Sequence, residues 1–92
     1  AFMAYAGLER GNIAIYLSNN GQNKKIRAVW TAYDSSGAMV DLSEQIVELG
    51  ANGYKKLSIP AQWNNDIHQS SVFLWDADSL VPYMPQIPIT VG

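Results

Sequence analysis

The chain has 92 residues, contains no cysteine and carries a formal net charge of −2 at pH 7. A chain of this length forms one domain, and without cysteine it has neither a disulfide framework nor a thiolate metal site. Its six Lys and Arg residues are spread along the chain, so they make no basic face of the kind that binds nucleic acid. No apolar run approaches the roughly 20 residues of a membrane span.

The N-terminal residues, Ala1 to Tyr5, lack the positively charged start of a signal peptide. Hydrophobic residues make up 48% of the chain, which is enough to build a core without covalent staples. We therefore interpret residues 1–92 as a single module that was excised from a larger protein.

Turn-forming residues recur at short intervals, at positions 7–11, 19–21, 34–37, 50–53, 64–66 and 76–78. Short strands between Gly, Asn and Asp turns are typical of sandwiches and barrels, and the intervals are too short for repeated βαβ units. The spacing predicts an all-β sandwich of about seven strands.

Two segments alternate between apolar and other residues with the period of a strand. In residues 12–18 the side chains predicted to face inward are Ile13, Ile15 and Leu17. In residues 25–33 the core face carries Trp30, and Tyr33 lies on the other face. Residues 19–23, which join these segments, are predicted to form a hairpin or a corner.

Residues 38–49 fit both a short helix and strands. Met39, Leu42, Ile46 and Leu49 have helical spacing, and Gly50 could end a helix. A two-turn helix is marginal by itself, however, and the surrounding segments are all β. We therefore predict strand here.

The remaining strands are predicted from apolar runs. Residues 54–59 end at Pro60, residues 72–75 form a compact run, and residues 87–91 close the domain. Trp75 belongs to the compact run, so we place it in the core beside Trp30.

Residues 72–76, Val-Phe-Leu-Trp-Asp, are followed by Leu80 and Pro82. This pattern resembles the last strands of immunoglobulin-like or fibronectin type III-like accessory modules, which are attached to bacterial secreted glycoside hydrolases and cell-surface proteins. Residues 30–37 are similar to the hairpin with an Asp-x-x-Gly turn in these modules. The resemblance implies a non-catalytic spacer or adaptor in an extracellular or surface-attached bacterial protein, and it implies no catalytic residue.

The ionisable residues favour structural roles. His68 is the only histidine, so a triad or a multi-histidine metal site is excluded. Asp76 and Asp78 could bind Ca²⁺, but an Asx-turn explains them better because the ligand spacing of a calcium loop is missing. The acidic residues Asp41, Glu44 and Glu48 lie on one small element, where a solvated face is a better interpretation than a pair of catalytic acids.

The aromatic residues are the candidates for a contact site. Trp63 lies between Gln62 and the pair Asn64 and Asn65, where its ring could stack on a sugar or cover one end of the core. Tyr16 and Tyr33 are predicted to point away from the core, on strands that could be adjacent. Such a platform suits the docking of a neighbouring module, because interfaces are rich in tyrosine.

The function that we expect is therefore a non-catalytic spacer or interaction module that contacts neighbouring domains of its own protein. The alternative is a carbohydrate-binding module that uses exposed aromatics, with a polysaccharide as partner. Neither function needs a cofactor, and we do not expect an enzyme. The sequence leaves open whether an edge strand, such as the first, pairs with a second chain.

Overall fold

The computed structural model of the protein describes residues 2–61 and 66–89. In this part of the chain there are seven strands and no helix, and hence no helix able to span a membrane. The strands are β1 (Phe2–Glu9), β2 (Asn12–Asn19), β3 (Lys24–Tyr33), β4 (Met39–Leu49), β5 (Tyr54–Pro60), β6 (Gln69–Asp76) and β7 (Ile87–Pro88).

The strands form two antiparallel sheets, one with the order β1-β2-β5 and one with the order β4-β3-β6-β7. The predicted all-β sandwich of about seven strands is confirmed. The chain passes from one sheet to the other after β2, after β4 and after β5. Residues 20–23 are therefore a corner between the sheets and not a hairpin within one of them.

The core lies between the two sheets, on the inward faces that the alternation predicts. Trp30 is fully buried at its centre. The other large side chains with almost no exposed surface are Ile13, Ile15, Leu17, Ile26, Ile59, Val72 and Leu74. Each such aliphatic side chain stabilises the fold by about 1.5–3 kcal/mol relative to an exposed position.

Two turns show how local residues define the hairpins. Arg10 and Gly11 join β1 to β2 with φ angles of 53° and 80°, which is the positive-φ pair that a two-residue hairpin requires. In the turn before β4, Asp34 Oδ1 accepts hydrogen bonds from the amides of Ser36 and Ala38 at 2.9 and 3.0 Å. The predicted Asp-x-x-Gly hairpin is therefore present, with Gly37 at a φ of 87°.

Residues 39–49 form one strand, so the strand prediction for this segment is correct and the helical spacing of its apolar residues has no structural role. Leu49 is buried, whereas Leu42 and Ile46 stay exposed on the outer face. A helix would have gathered these three side chains on one side, and the strand instead divides them between two faces.

The prediction that Trp75 lies in the core is wrong. Within β6, Val72 and Leu74 point inward, and Phe73 and Trp75 lie half-buried on the outer face. The two aromatic rings pack against each other with their centroids 5.5 Å apart. The apolar run is thus an ordinary alternating strand, whose outer side chains cover the sheet instead of joining the core.

Within the described residues, the last strand is shorter than predicted. The prediction covered residues 87–91, whereas β7 contains Ile87 and Pro88 alone. Pro88 has no amide hydrogen, which limits the ladder with β6. Ile89 is nevertheless buried, and its amide donates to the carbonyl of Ser70 at 2.9 Å.

Candidate functional site

The two tyrosines predicted to form one platform lie in different sheets. Tyr16 is on the outer face of the three-stranded sheet, and Tyr33 is at the end of β3 in the four-stranded sheet. The outer faces of a sandwich point in opposite directions, so the expected adjacency of Tyr16 and Tyr33 is wrong. The predicted contact residues Trp63, Asn64 and Asn65 lie outside the described residues.

Tyr16 instead belongs to a surface that the strand registers build row by row. One cross-strand row contains Met3, Ser18 and Tyr54, and the next contains Tyr5, Tyr16 and Lys56. We call this surface of the three-stranded sheet the tyrosine face, and we define it by Met3, Tyr5, Glu9, Tyr16, Ser18, Tyr54 and Lys56.

Tyr5 and Tyr16 are stacked in the middle of the tyrosine face. Their ring centroids are 4.7 Å apart, and the ring planes differ by 9°. On the opposite side of Tyr16, the Lys56 ammonium lies 5.3 Å from the ring centroid. Both faces of the Tyr16 ring are thus covered, and Tyr5, on the edge strand, has one ring face turned away from its partner.

Glu9 joins the tyrosine to the lysine. It accepts a hydrogen bond from the Tyr16 hydroxyl and one from Lys56 Nζ at 3.2 Å. These two bonds, the one from Tyr16 first, lower the pKa of Glu9. The bond to Glu9 also raises the pKa of Tyr16 and that of Lys56. The side chains therefore hold each other in position, and the charges of Glu9 and Lys56 compensate one another.

A shallow depression of about 420 Å³ opens beside the stacked pair. Its walls include Met3 and Tyr54, and the small side chain of Ser18 lies between them in the same cross-strand row. Met3 and Tyr54 expose 69% and 68% of their surface, and Tyr5 exposes 61%. The depression therefore offers apolar walls with hydroxyl groups beside them.

Two of the acidic candidates have structural partners of their own. Asp76 Oδ1 accepts hydrogen bonds from the amides of Asp78 and Ser79 at 3.0 and 2.9 Å, which is the predicted Asx-turn. Glu44 forms an ion pair with Arg27 on the outer face of the four-stranded sheet. Across the described ranges, no group of three or more His, Asp or Glu side chains is placed to hold a metal ion.

The sequence interpretation missed Met3, Tyr5 and Tyr54 as members of one surface. Part of the signal was present in the sequence, because Met3 and Tyr5 alternate with Phe2, Ala4 and Ala6 along β1. The glycine at position 7 was interpreted as the start of a turn, so the strand before it was not recognised. Gly7 lies inside β1, and the turn is confined to Arg10 and Gly11.

No family model matches the chain, and the search of curated proteins finds no relative. The resemblance to accessory modules of secreted bacterial enzymes thus stays a prediction.

Proposed function

We propose that the protein is a non-catalytic interaction module of a larger secreted or cell-surface bacterial protein, and that the tyrosine face is its contact surface for a neighbouring domain. The observation that carries the proposal is the joint exposure of Met3, Tyr5 and Tyr54 on one sheet face. The division of the strands into sheets of three and four supports the resemblance to a sandwich-type accessory module.

The composition and the charges of the tyrosine face suit a protein partner. Tyrosine and methionine are enriched at protein interfaces, where they supply large contact areas. The only charged groups of this face, Glu9 and Lys56, are already paired with each other. A partner can therefore cover the tyrosine face without leaving a single charge buried and unpaired.

A photo-crosslinking experiment in the parent protein tests this proposal. A benzophenone amino acid replaces Tyr54 in one variant and Ser36, in the turn before β4, in a control variant. We expect a crosslink to a neighbouring domain from position 54 and none from position 36. Equal crosslinking from both positions, or none from position 54, would contradict docking through the tyrosine face.

The depression beside the stacked pair supports a second candidate function, the binding of a neutral polysaccharide. A sugar ring presents an apolar face with hydroxyl groups around it, which suits the exposed ring of Tyr54 and the hydroxyl of Ser18. Tyr5 offers a second free ring face on the edge strand, and the Glu9 carboxylate and Lys56 ammonium could bind sugar hydroxyls.

Affinity electrophoresis against soluble polysaccharides distinguishes the two candidates. If the tyrosine face binds a polysaccharide, we expect retardation that Tyr54→Ala abolishes and Val40→Ala, at an exposed position of β4, preserves. Trp63→Ala in the same gels tests the site that the sequence predicts at Trp63, Asn64 and Asn65. Absence of retardation across the panel would remove the polysaccharide candidate and leave docking as the proposed role.

A further inference from the structure

β4, one of the two outer strands of the four-stranded sheet, has an open edge. It is the longest strand, with 11 residues, and β3 is its neighbour in the sheet. Within residues 2–61 and 66–89, no strand pairs with the other side of β4. An open strand edge presents a row of unpaired amide and carbonyl groups that can bind another strand.

The ladder of β3 shows which residues of β4 face the open edge. The carbonyls of Lys25 and Tyr33 both accept amide hydrogens from the side of β6, so the odd-numbered residues of β3 point to β6 and the even-numbered ones to β4. The residues of β4 opposite the odd-numbered ones include Leu42, Glu44 and Ile46. Their own amide and carbonyl groups therefore point away from β3, to the open edge.

Several apolar side chains are exposed along this strand, beside Glu44 and Glu48. Met39, Val40, Leu42 and Ile46 expose 51%, 47%, 57% and 48% of their surface. Edge strands are commonly protected by charged side chains, especially lysine, or by proline. β4 contains neither lysine nor proline, and its charged residues are Asp41, Glu44 and Glu48. The strand thus combines an edge that no other strand covers with exposed apolar side chains.

We propose that two copies of the chain pair through β4, antiparallel, with Ser43 on the two-fold axis. In this register Val40 faces Ile46 of the second copy, and Asp41 faces Gln45 of the second copy. The open-edge residues pair with open-edge residues, as an antiparallel ladder requires. The pairing joins two four-stranded sheets into one sheet of eight strands.

Charge disfavours one of the neighbouring registers. An axis at Glu44 would place two glutamates directly opposite each other, which destabilises a strand pair. With the axis at Ser43, no carboxylate faces another, and each Glu44 keeps its ion pair with Arg27. The amide of Leu42, which now donates to Asp41 Oδ1 at 2.8 Å, exchanges this local bond for one across the interface.

A single-cysteine experiment tests both the pairing and its register. The chain has no cysteine of its own, so Ser43→Cys supplies the sole thiol. Opposite residues of a non-hydrogen-bonded pair have Cα atoms about 4.5 Å apart, within the range that a disulfide spans. We expect rapid formation of a disulfide-linked dimer under mild oxidation.

Gln45→Cys is the matched control on the same strand. In the proposed register the two Gln45 residues are offset by four positions, or about 13 Å along the strands, which is too far for a disulfide. Equal rates of crosslinking for Ser43→Cys and Gln45→Cys would indicate random collision and overturn the register.

A pair of Glu44 variants tests the role of the open edge. Glu44→Ala and Glu44→Pro both lose the ion pair with Arg27, but proline also removes the outward amide and leaves the ladder with β3 intact. In sedimentation equilibrium we expect dimers for the wild type and for Glu44→Ala, and a monomer for Glu44→Pro. A monomeric wild type at the highest attainable concentration would overturn the proposal, as would a dimer that persists in Glu44→Pro.

This inference goes beyond the proposed function and is independent of it. The tyrosine face lies in the three-stranded sheet, whereas the pairing edge lies in the four-stranded one. A crosslinking failure at Tyr54 therefore leaves the pairing through β4 untouched, and a monomeric protein leaves docking through the tyrosine face untouched.

Discussion

The indole Nε1 of Trp30 donates a 2.5 Å hydrogen bond to Ser70 Oγ inside the core. Trp30 is on β3 and Ser70 is on the neighbouring strand β6, and both side chains are buried, with 0% and 4% exposed. The bond gives a partner to the one polar atom of the largest core side chain. It also links the two central strands of the four-stranded sheet through side chains.

We expect Ser70→Ala to destabilise the protein by about 1–3 kcal/mol, because the buried indole N–H would lose its acceptor. Urea denaturation measures the change in the free energy of unfolding. Ser71→Ala, at the adjacent half-buried position on the outer face, is the control and should cost less. An equal decrease in the free energy of unfolding for the two variants would indicate that the hydrogen bond to Trp30 does not stabilise the fold.

The stability of the protein should fall at low pH through Asp76. The pKa of Asp76 is lowered to about 2 by three hydrogen bonds to its carboxylate. The donors are the amide of Ser79, the hydroxyl of Tyr83 and the amide of Asp78. An unfolded aspartate titrates near 3.9, so the unfolded state binds more protons over this interval. The contribution of Asp76 is thus complete above about pH 4 and is lost as the pH falls towards about 2.

Urea denaturation between about pH 6 and about pH 2 checks this dependence. Asp76→Asn should lower the free energy of unfolding near neutral pH and flatten its decrease at acid pH. Asp78→Asn removes an exposed carboxylate from the same turn and should keep the slope of the wild type. An unchanged slope in Asp76→Asn would contradict the assignment.

Asn19→Ala should be among the more destabilising polar substitutions. Asn19 is 3% exposed, and its Nδ2 donates to the carbonyls of Gln22 and Gly50, both at 2.8 Å. Loss of two such bonds costs about 2–3 kcal/mol. Thermal or urea unfolding measures the change, and Asn23→Ala, at an exposed position of the same corner, should leave stability nearly unchanged.

Two glycines should respond in opposite ways to the addition of a methyl group. A Cβ at Gly53 would lie 3.1 Å from the backbone N and O of Gly50 and 3.1 Å from Leu49 Cδ1. The Gly50 carbonyl cannot move freely, because it accepts hydrogen bonds from Gly53 and from Asn19. We expect Gly53→Ala to lower the free energy of unfolding by about 1–3 kcal/mol.

A Cβ at Gly7 would meet no atom within 4 Å. Gly7→Ala should therefore leave stability unchanged or raise it by about 0.5 kcal/mol, because alanine restricts the unfolded chain. Measured side by side, a loss in Gly7→Ala as large as that in Gly53→Ala would show that close contact is not the deciding factor.

Local alternation predicted the faces of the strands well, because the period of two is a property of the strand itself. Ile13, Ile15 and Leu17 point inward as expected, and Trp30 occupies the core. The Asx-turn at Asp76 also followed from the sequence, because an aspartate at a strand end bonds amides within three residues of itself.

Contacts between distant segments could not be predicted in the same way. The alternation of β2 and β3 placed Tyr16 and Tyr33 outward, but it does not indicate whether residues 19–23 turn back within a sheet or pass to the other one. The structure shows the second case, which separates the two tyrosines. Tyr16 lies beside Tyr5 because β1 and β2 form a hairpin. The row of Tyr54 with Met3 likewise depends on pairing across more than 30 intervening residues.

The side chain of Asn19 also has a consequence for the dynamics of the fold. The chain leaves one sheet at residues 20–23 and returns at residues 50–53, and Asn19 binds the backbone of both crossings. Two backbone hydrogen bonds also join the crossings. The Asn19 amide donates to the Gly53 carbonyl and the Gly21 amide donates to the Ala51 carbonyl, each at 2.9 Å. Opening of either crossing breaks the hydrogen bonds between them, so the amides of Asn19 and Gly21 should exchange hydrogen with solvent through one shared, cooperative opening.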